Sequence, residues 1–93
     1  MSTTIYGQLA SDGSANINGT DYNSTRLSKG TYQVNFTTPF ANEPSVVLTI
    51  LASSSTGKTI GVTSADRNQF ICAIQTNNGD LVDASFNFVA VGD

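Results

Sequence analysis

Turn-forming clusters recur along this chain with a spacing of roughly ten residues, the rhythm of an all-β domain. They fall at Ser11-Asp12-Gly13, Asn18-Gly19, Lys29-Gly30, Asn42-Glu43-Pro44, Ser53 to Gly57, Asp66-Arg67-Asn68 and Asn77-Asn78-Gly79-Asp80. The stretches between them alternate apolar with polar residues or are rich in β-branched and aromatic side chains, as strands are. These are Ile5 to Leu9, Ser14 to Asn18, Thr31 to Thr37, Ser45 to Leu51, Thr59 to Ser64, Gln69 to Thr76 and Leu81 to Val91. No segment carries helical periodicity. With 93 residues there is room for one core, so the expectation is a single antiparallel β-sandwich of six or seven strands.

The strands differ in what they offer to solvent. Tyr32, Val34 and Phe36 share one face of their strand while Gln33 and Asn35 take the other, the pattern of a half-buried strand. The strand from Ser45 to Leu51 instead sets Val46, Leu48 and Ile50 against Val47 and Leu51, and both of its faces call for burial. Phe70, Cys72 and Ile74 against Ile71 and Ala73, and Phe86 and Phe88 against Val89 and Val91, repeat the pattern. A two-layer sandwich covers one face of each sheet, so the second apolar faces imply a homo-oligomer. The competing arrangement covers them with loops or with the N-terminal hairpin of the same chain.

Composition removes several function classes. Histidine is absent, which excludes Ser-His-Asp and Cys-His catalysis and His-ligated zinc in this chain. The expectation is a non-enzymatic protein with no cofactor and no metal. Four Lys and Arg against seven Asp and Glu, a net charge of -3, leave no basic surface for a phosphate backbone, so nucleic acid is not an expected partner. The single Cys72 sits in an apolar strand and reads as a small buried hydrophobe. The N-terminal residues lack the charged and apolar regions of a signal peptide, and no stretch approaches the ~20 apolar residues of a membrane span. Synthesis in the cytoplasm, followed by display on a virion or tail-like particle or by release, is the corresponding expectation.

Individual motifs are weak. Ser55-Thr56-Gly57-Lys58-Thr59 resembles part of a phosphate-binding loop, but Ala52 stands where the first glycine belongs and Ile60-Gly61-Val62-Thr63 reads as a strand, so it is taken as a hairpin loop. Asp80 and Asp83 fall on opposite faces of an extended segment, which is wrong for a catalytic pair. Asn77, Asn78, Asp80 and Asp83 lack the spacing of a calcium motif. Asp66-Arg67-Asn68 gathers a carboxylate, a guanidinium and an amide in one turn, a set that meets sugar hydroxyls pairwise, the competing reading being a solvated turn with a local ion pair. Tyr22 offers an aromatic platform for a sugar face, or packing on a sheet edge. Loops at one end of a sandwich carry recognition, and the candidate carbohydrate-binding residues are Asp66, Arg67, Asn68, Asn77, Asn78 and Asp80.

The run from Tyr32 to Ile50, with an aromatic-ended strand Tyr32-Gln33-Val34-Asn35-Phe36, then Pro39-Phe40, a turn, Pro44 and Val46-Val47-Leu48, resembles the H-type lectins, the family of snail agglutinins and discoidin C-terminal domains. It is also similar to small β-domains at the tips of bacteriophage and phage-like tail fibres. The likeness spans roughly residues 30 to 92 and divides the single domain 1–93 into N-terminal strands and turns (1–30) and a lectin-like core (31–93). It implies a trimer with shallow sugar sites near subunit boundaries. The chain departs from the lectin pattern near Gly61 and at Asn77-Asn78, so none of that family's sugar-contacting residues is carried over. The resulting expectation is a multivalent module that binds a cell-surface glycan or receptor. The alternative is a structural trimerisation or capping domain of a tail fibre or larger assembly, without sugar binding.

Overall fold

The computed structural model of the chain describes residues 2–17, 19–51 and 57–93. It is all-β, with strands β1 (Thr3–Leu9), β2 (Ala15–Ile17), β3 (Tyr22–Ser28), β4 (Thr31–Phe36), β5 (Ser45–Ile50), β6 (Lys58–Ala65), β7 (Gln69–Thr76) and β8 (Phe86–Gly92). Two four-stranded antiparallel sheets form the sandwich, one in the order β2-β1-β8-β5 and the other in the order β3-β4-β7-β6. There are thus eight strands rather than six or seven. The additional one is β3, a polar strand whose single large apolar anchor, Tyr22, gives little periodic signal. β5 and β6 lie in different sheets; residues 52–56, which include part of the stretch expected to be a hairpin loop, lie outside the described residues. The stretch Lys58–Ala65 is a strand, as expected.

The N-terminal hairpin extends the first sheet instead of covering it. Its turn closes as the sequence leads one to expect: Gly13 takes a φ of 93°, and Asp12 Oδ1 accepts from Ser14 N at 3.0 Å and Ser14 Oγ at 2.7 Å. The core consists of the inward faces of both sheets, with Ile5, Leu9, Phe86, Phe88 and Ala90 opposite Tyr22, Tyr32, Val34, Phe36, Phe70, Cys72 and Ile74. Aromatic rings meet edge-on across it. Tyr22 lies 4.9 Å from Phe88, Phe88 5.2 Å from Phe70, and Tyr32 5.3 Å from Phe86, measured between ring centroids. Tyr22 is therefore a buried anchor and not an exposed sugar platform. Its hydroxyl donates to the Ile17 carbonyl, and its ring occupies the space over Gly7, where any side chain would collide with it. Cys72 is buried as expected, and burial pushes its thiol up to about 12.

The expected last strand, Leu81 to Val91, begins only at Phe86. Residues 81–85 carry the chain from one sheet to the other, and Asp83 pins this crossing. Its carboxylate accepts from Arg26 Nε at 3.0 Å to each oxygen and from Gly30 N at 2.7 Å, with Arg26 Nη2 at 2.9 Å. The Tyr32 hydroxyl lies 2.7 Å from the Ser11 carbonyl and 3.2 Å from Asp83 Oδ1, joining both sheets at this end. Burial, then the Asp83 charge, pushes the Tyr32 phenol up to about 12. The Arg26 guanidinium, then the Gly30 amide, holds the Asp83 carboxyl below the usual carboxylate range. Asp83 is thus committed within the fold and is not available to a cation.

Two predictions follow from this packing. Gly7→Ala places a methyl group 2.3 Å from the Tyr22 hydroxyl oxygen and 2.5 Å from two ring carbons, and overpacking of this kind costs about 1–3 kcal/mol. Thermal unfolding of the variant should show a lowered Tm, and an unchanged Tm would mean that Tyr22 does not hold this position. For Asp83, the folded-state pKa lies below the unfolded one, so its stabilisation is complete above about pH 4 and is lost as pH falls through the folded value. The Tm of Asp83→Asn should lie below that of the native chain near neutrality, and the gap should close on acidification below pH 4. A gap that stays constant down to pH 2 would remove the carboxylate from this role.

Candidate functional site

The strands bring two sets of loops to opposite ends of the sandwich. At one end, the chain leaves β4 at Phe36 and runs through Thr37-Thr38-Pro39-Phe40-Ala41 before entering β5. Phe40 folds back into the core with its ring 5.0 Å from that of Phe36, which holds the intervening residues out as a wall. The Asp66–Asn68 turn lies against this wall. Phe36 N donates to the Asn68 carbonyl at 2.8 Å, Phe40 N to the Arg67 carbonyl at 3.0 Å, and Arg67 Nε to the Phe40 carbonyl at 2.9 Å. Asp66 closes its own turn, its Oδ1 accepting from Asn68 N at 2.7 Å and Gln69 N at 3.0 Å. Among the described residues Arg67 makes no ion pair with Asp66; it is a latch on the β4–β5 connection.

Beside this wall opens a cavity of about 320 Å³. The start of β1 (Thr3, Thr4, Ile5), the segment before β3 (Thr20, Asp21), the Thr37–Ala41 loop and Asp93 line it. Ile5 and Phe40 are buried and form an apolar floor, while the threonines and the two aspartates form a polar rim. Thr37 N donates to the Asp21 carbonyl at 3.0 Å, and Thr37 Oγ1 donates to the Thr20 carbonyl at 3.0 Å, so the two loops brace each other. No side chain among the described residues pairs with the Asp21 carboxylate. The Thr38 hydroxyl likewise has no side-chain partner among the described residues.

The Asn77–Asp80 turn lies at the other end, since β7 runs its eight residues between it and the Asp66–Asn68 turn, a span of roughly 25 Å at strand rise. The six candidate residues therefore form two groups of three that do not meet within one chain. Thr76 supplies the turn's capping oxygen, with Asn78 N and Asp80 N each 3.3 Å from Thr76 Oγ1, and Gly79 takes a φ of 87°. Asn77, Asn78 and Asp80 are exposed. The cavity residues Thr20, Asp21, Thr37 and Thr38 escape sequence reading because they lie in two separated stretches of ordinary loop composition. The one sequence signal for them is Pro39-Phe40, an apolar pair inside a polar connection. No group of three or more His, Cys, Asp or Glu placed to hold a metal occurs among the described residues.

No family model matches the chain, and no curated protein matches it. Solved structures share its fold, three of them as follows. The tailspike protein gp49 of Pseudomonas phage LKA1 aligns with a TM-score of 0.54 at 16% identity, over 98% of this chain and 14% of that one. The C-terminal part (residues 323–701) of the P. aeruginosa R1 pyocin fibre aligns with a TM-score of 0.54 at 10% identity, over 99% of this chain and 23% of that one. The tailspike gp61 of Pseudomonas phage phi297 aligns with a TM-score of 0.52 at 12% identity, over 100% of this chain and 15% of that one. The chain thus spans less than a quarter of each of these proteins, and it has the β-sandwich fold found within phage tailspikes and a pyocin fibre.

Proposed function

We propose that this chain is an assembly module of a phage-tail-type fibre or spike, a structural unit that stands in the particle as a homo-oligomer, with three copies as the number the sequence resemblance implies. The surroundings of β5 carry this reading. Its inward residues Val46, Leu48 and Ile50 pack against the core but stay partly buried, and Val62 of the edge strand β6 is exposed. Its outward Val47 is 63% exposed and stands in register with Val89 and Tyr6, giving an apolar row across the outer face of the first sheet. A shallow groove lined by Tyr6, Gln8, Ile17, Asn87 and Val89 continues it.

Neither the face nor the edge carries protection against association. β5 is an edge strand without a charged residue or proline, whereas edges of proteins that remain single are blunted by such residues. Of the charged residues, only Arg26 and Lys58 lie in strands, and Arg26 is turned to Asp83. The remainder stand in the loops. Faces without charge favour burial against another copy, and the fold shared with tailspike and fibre chains supports the same setting.

A second reading adds recognition to assembly: the module displays a glycan or receptor site at its loop ends. The cavity beside Asp66, Arg67 and Asn68 favours it, since it combines an apolar floor with unspent hydroxyls and a carboxylate. The Asn77, Asn78 and Asp80 turn would be a separate surface at the far end.

Light scattering over a range of concentrations tests the assembly. The expected molar mass is a multiple of 9.7 kDa, about three chains, and a single-chain mass at all concentrations would overturn the reading. Val47→Asp should shift the mass towards the single chain, because an uncompensated carboxylate in a dry interface costs about 3–5 kcal/mol. Circular dichroism of that variant should remain that of a β-sandwich, and a variant that stays fully assembled would place the interface elsewhere.

A further inference from the structure

We propose that the cavity walled by Thr20-Asp21 and Thr37-Thr38 binds one neutral saccharide unit, with the Asp21 carboxylate accepting hydrogen bonds from two adjacent sugar hydroxyls. The inference rests on the recognition reading above and assigns its site and ligand class. The volume, about 320 Å³, lies at the lower end of the range for small-molecule sites, roughly 300–1,000 Å³, and so suits one ring rather than an extended chain. Ile5 and Phe40, almost fully buried, close the cavity from beneath, and the exposed Pro39 beside them offers the C–H face of a pyranose an apolar surface.

The rim matches hydroxyls and little else. A carboxylate is an acceptor only, with room for two donors, and a vicinal diol presents two donors at the spacing of its oxygens. Threonine hydroxyls both donate and accept, as sugar hydroxyls do, and Thr38 lines the same cavity as Asp21 with no side-chain partner among the described residues. Thr37 is committed to the Thr20 carbonyl and acts as the brace that fixes the spacing of the two walls. The lining contains no Lys or Arg, and it contains both Asp21 and Asp93. A sialic or uronic acid would bring its carboxylate against two others without a compensating cation, so the site selects neutral sugars over acidic ones. A phosphate is excluded on the same ground.

Amide NMR of the intact chain, in whatever assembly it forms, provides the test. It would be titrated to tens of millimolar with methyl glycosides of galactose, glucose, mannose, fucose and N-acetylgalactosamine, and separately with N-acetylneuraminic acid, glucuronic acid and calcium chloride. The expected result is saturable shifts at Asp21 and at residues 37–41 with at least one neutral glycoside and none with the acids. Asp21→Asn should weaken that binding about tenfold and Thr38→Ala several-fold, with unchanged molar mass and Tm. Sugar-dependent shifts confined to Asn77–Asp80 would overturn this site while leaving recognition in place. Equal response to the acidic sugars would overturn the ligand class, and a response to calcium alone would make this a cation site. Absence of shifts with every sugar at an intact fold would overturn the recognition reading as well and leave the structural module.

Discussion

Edge-on contact between aromatic rings joins the two sheets, and the remainder of the molecule is arranged around it. Tyr22, Phe88, Phe70, Phe36 and Phe40 follow one another at centroid distances of 4.9 to 6.1 Å, a continuous run from β3 to the β4–β5 loop. Such pairs contribute about 0.5–1.5 kcal/mol each beyond the area they bury, which matters in a chain this small without a disulfide. The run requires a glycine at position 7 to admit Tyr22. It also requires Phe40 to fold back under its own loop, and that requirement shapes the cavity: the ring that completes the core is the ring that floors the site.

Charge divides the faces of the sandwich from its ends. The outer face of the second sheet carries Asn35, Gln33 and Gln69, whose amides satisfy one another, with Gln33 Nε2 3.2 Å from Asn35 Oδ1 and 2.5 Å from Gln69 Oε1. The outer face of the first sheet carries Tyr6, Val47, Val89 and Val91. Neither face pays the desolvation penalty that buried charges would impose in an oligomer. The ends bear nearly all of the carboxylates and are free to meet solvent or ligand. The proposed assembly would use this division, because copies that pack by their faces point equivalent ends outward.

What could be read from the sequence follows from the range over which each signal acts. Alternation is a local property, so the half-buried β4 and the two-faced β5 were legible from Tyr32 to Phe36 and from Val46 to Leu51. The hairpin turn at Asp12-Gly13 was legible for the same reason. β3 was not, since Asn23, Ser24, Thr25 and Ser28 carry no hydrophobic period and its place is set by Tyr22 reaching Phe88 in the other sheet. From its neighbours in sequence Asp83 reads as one of two carboxylates near a turn, whereas its partners Arg26 and Gly30 stand more than fifty residues away. The six candidate loop residues share a polar chemistry, which is a local property. Whether two turns share an end depends on the number of strands between them, and a single strand separates these two.

The cavity illustrates the same limit from the side of function. Its walls come from the start of β1, the approach to β3 and the exit of β4, segments that only the sheet order brings together. No contiguous motif marks it, and none could. The fold is shared with tailspike and fibre chains at 10 to 16% identity over nearly the full length of this one, so the sandwich tolerates replacement of most of its residues provided that volume and patterning hold. A scaffold so permissive says little about what its loops hold. The proposed sugar specificity would then reside in a few side chains such as Asp21 and Thr38, which can change without disturbing the core because the backbone that carries them is fixed by other atoms: the Thr37 amide on the Asp21 carbonyl and the Phe40 ring beneath.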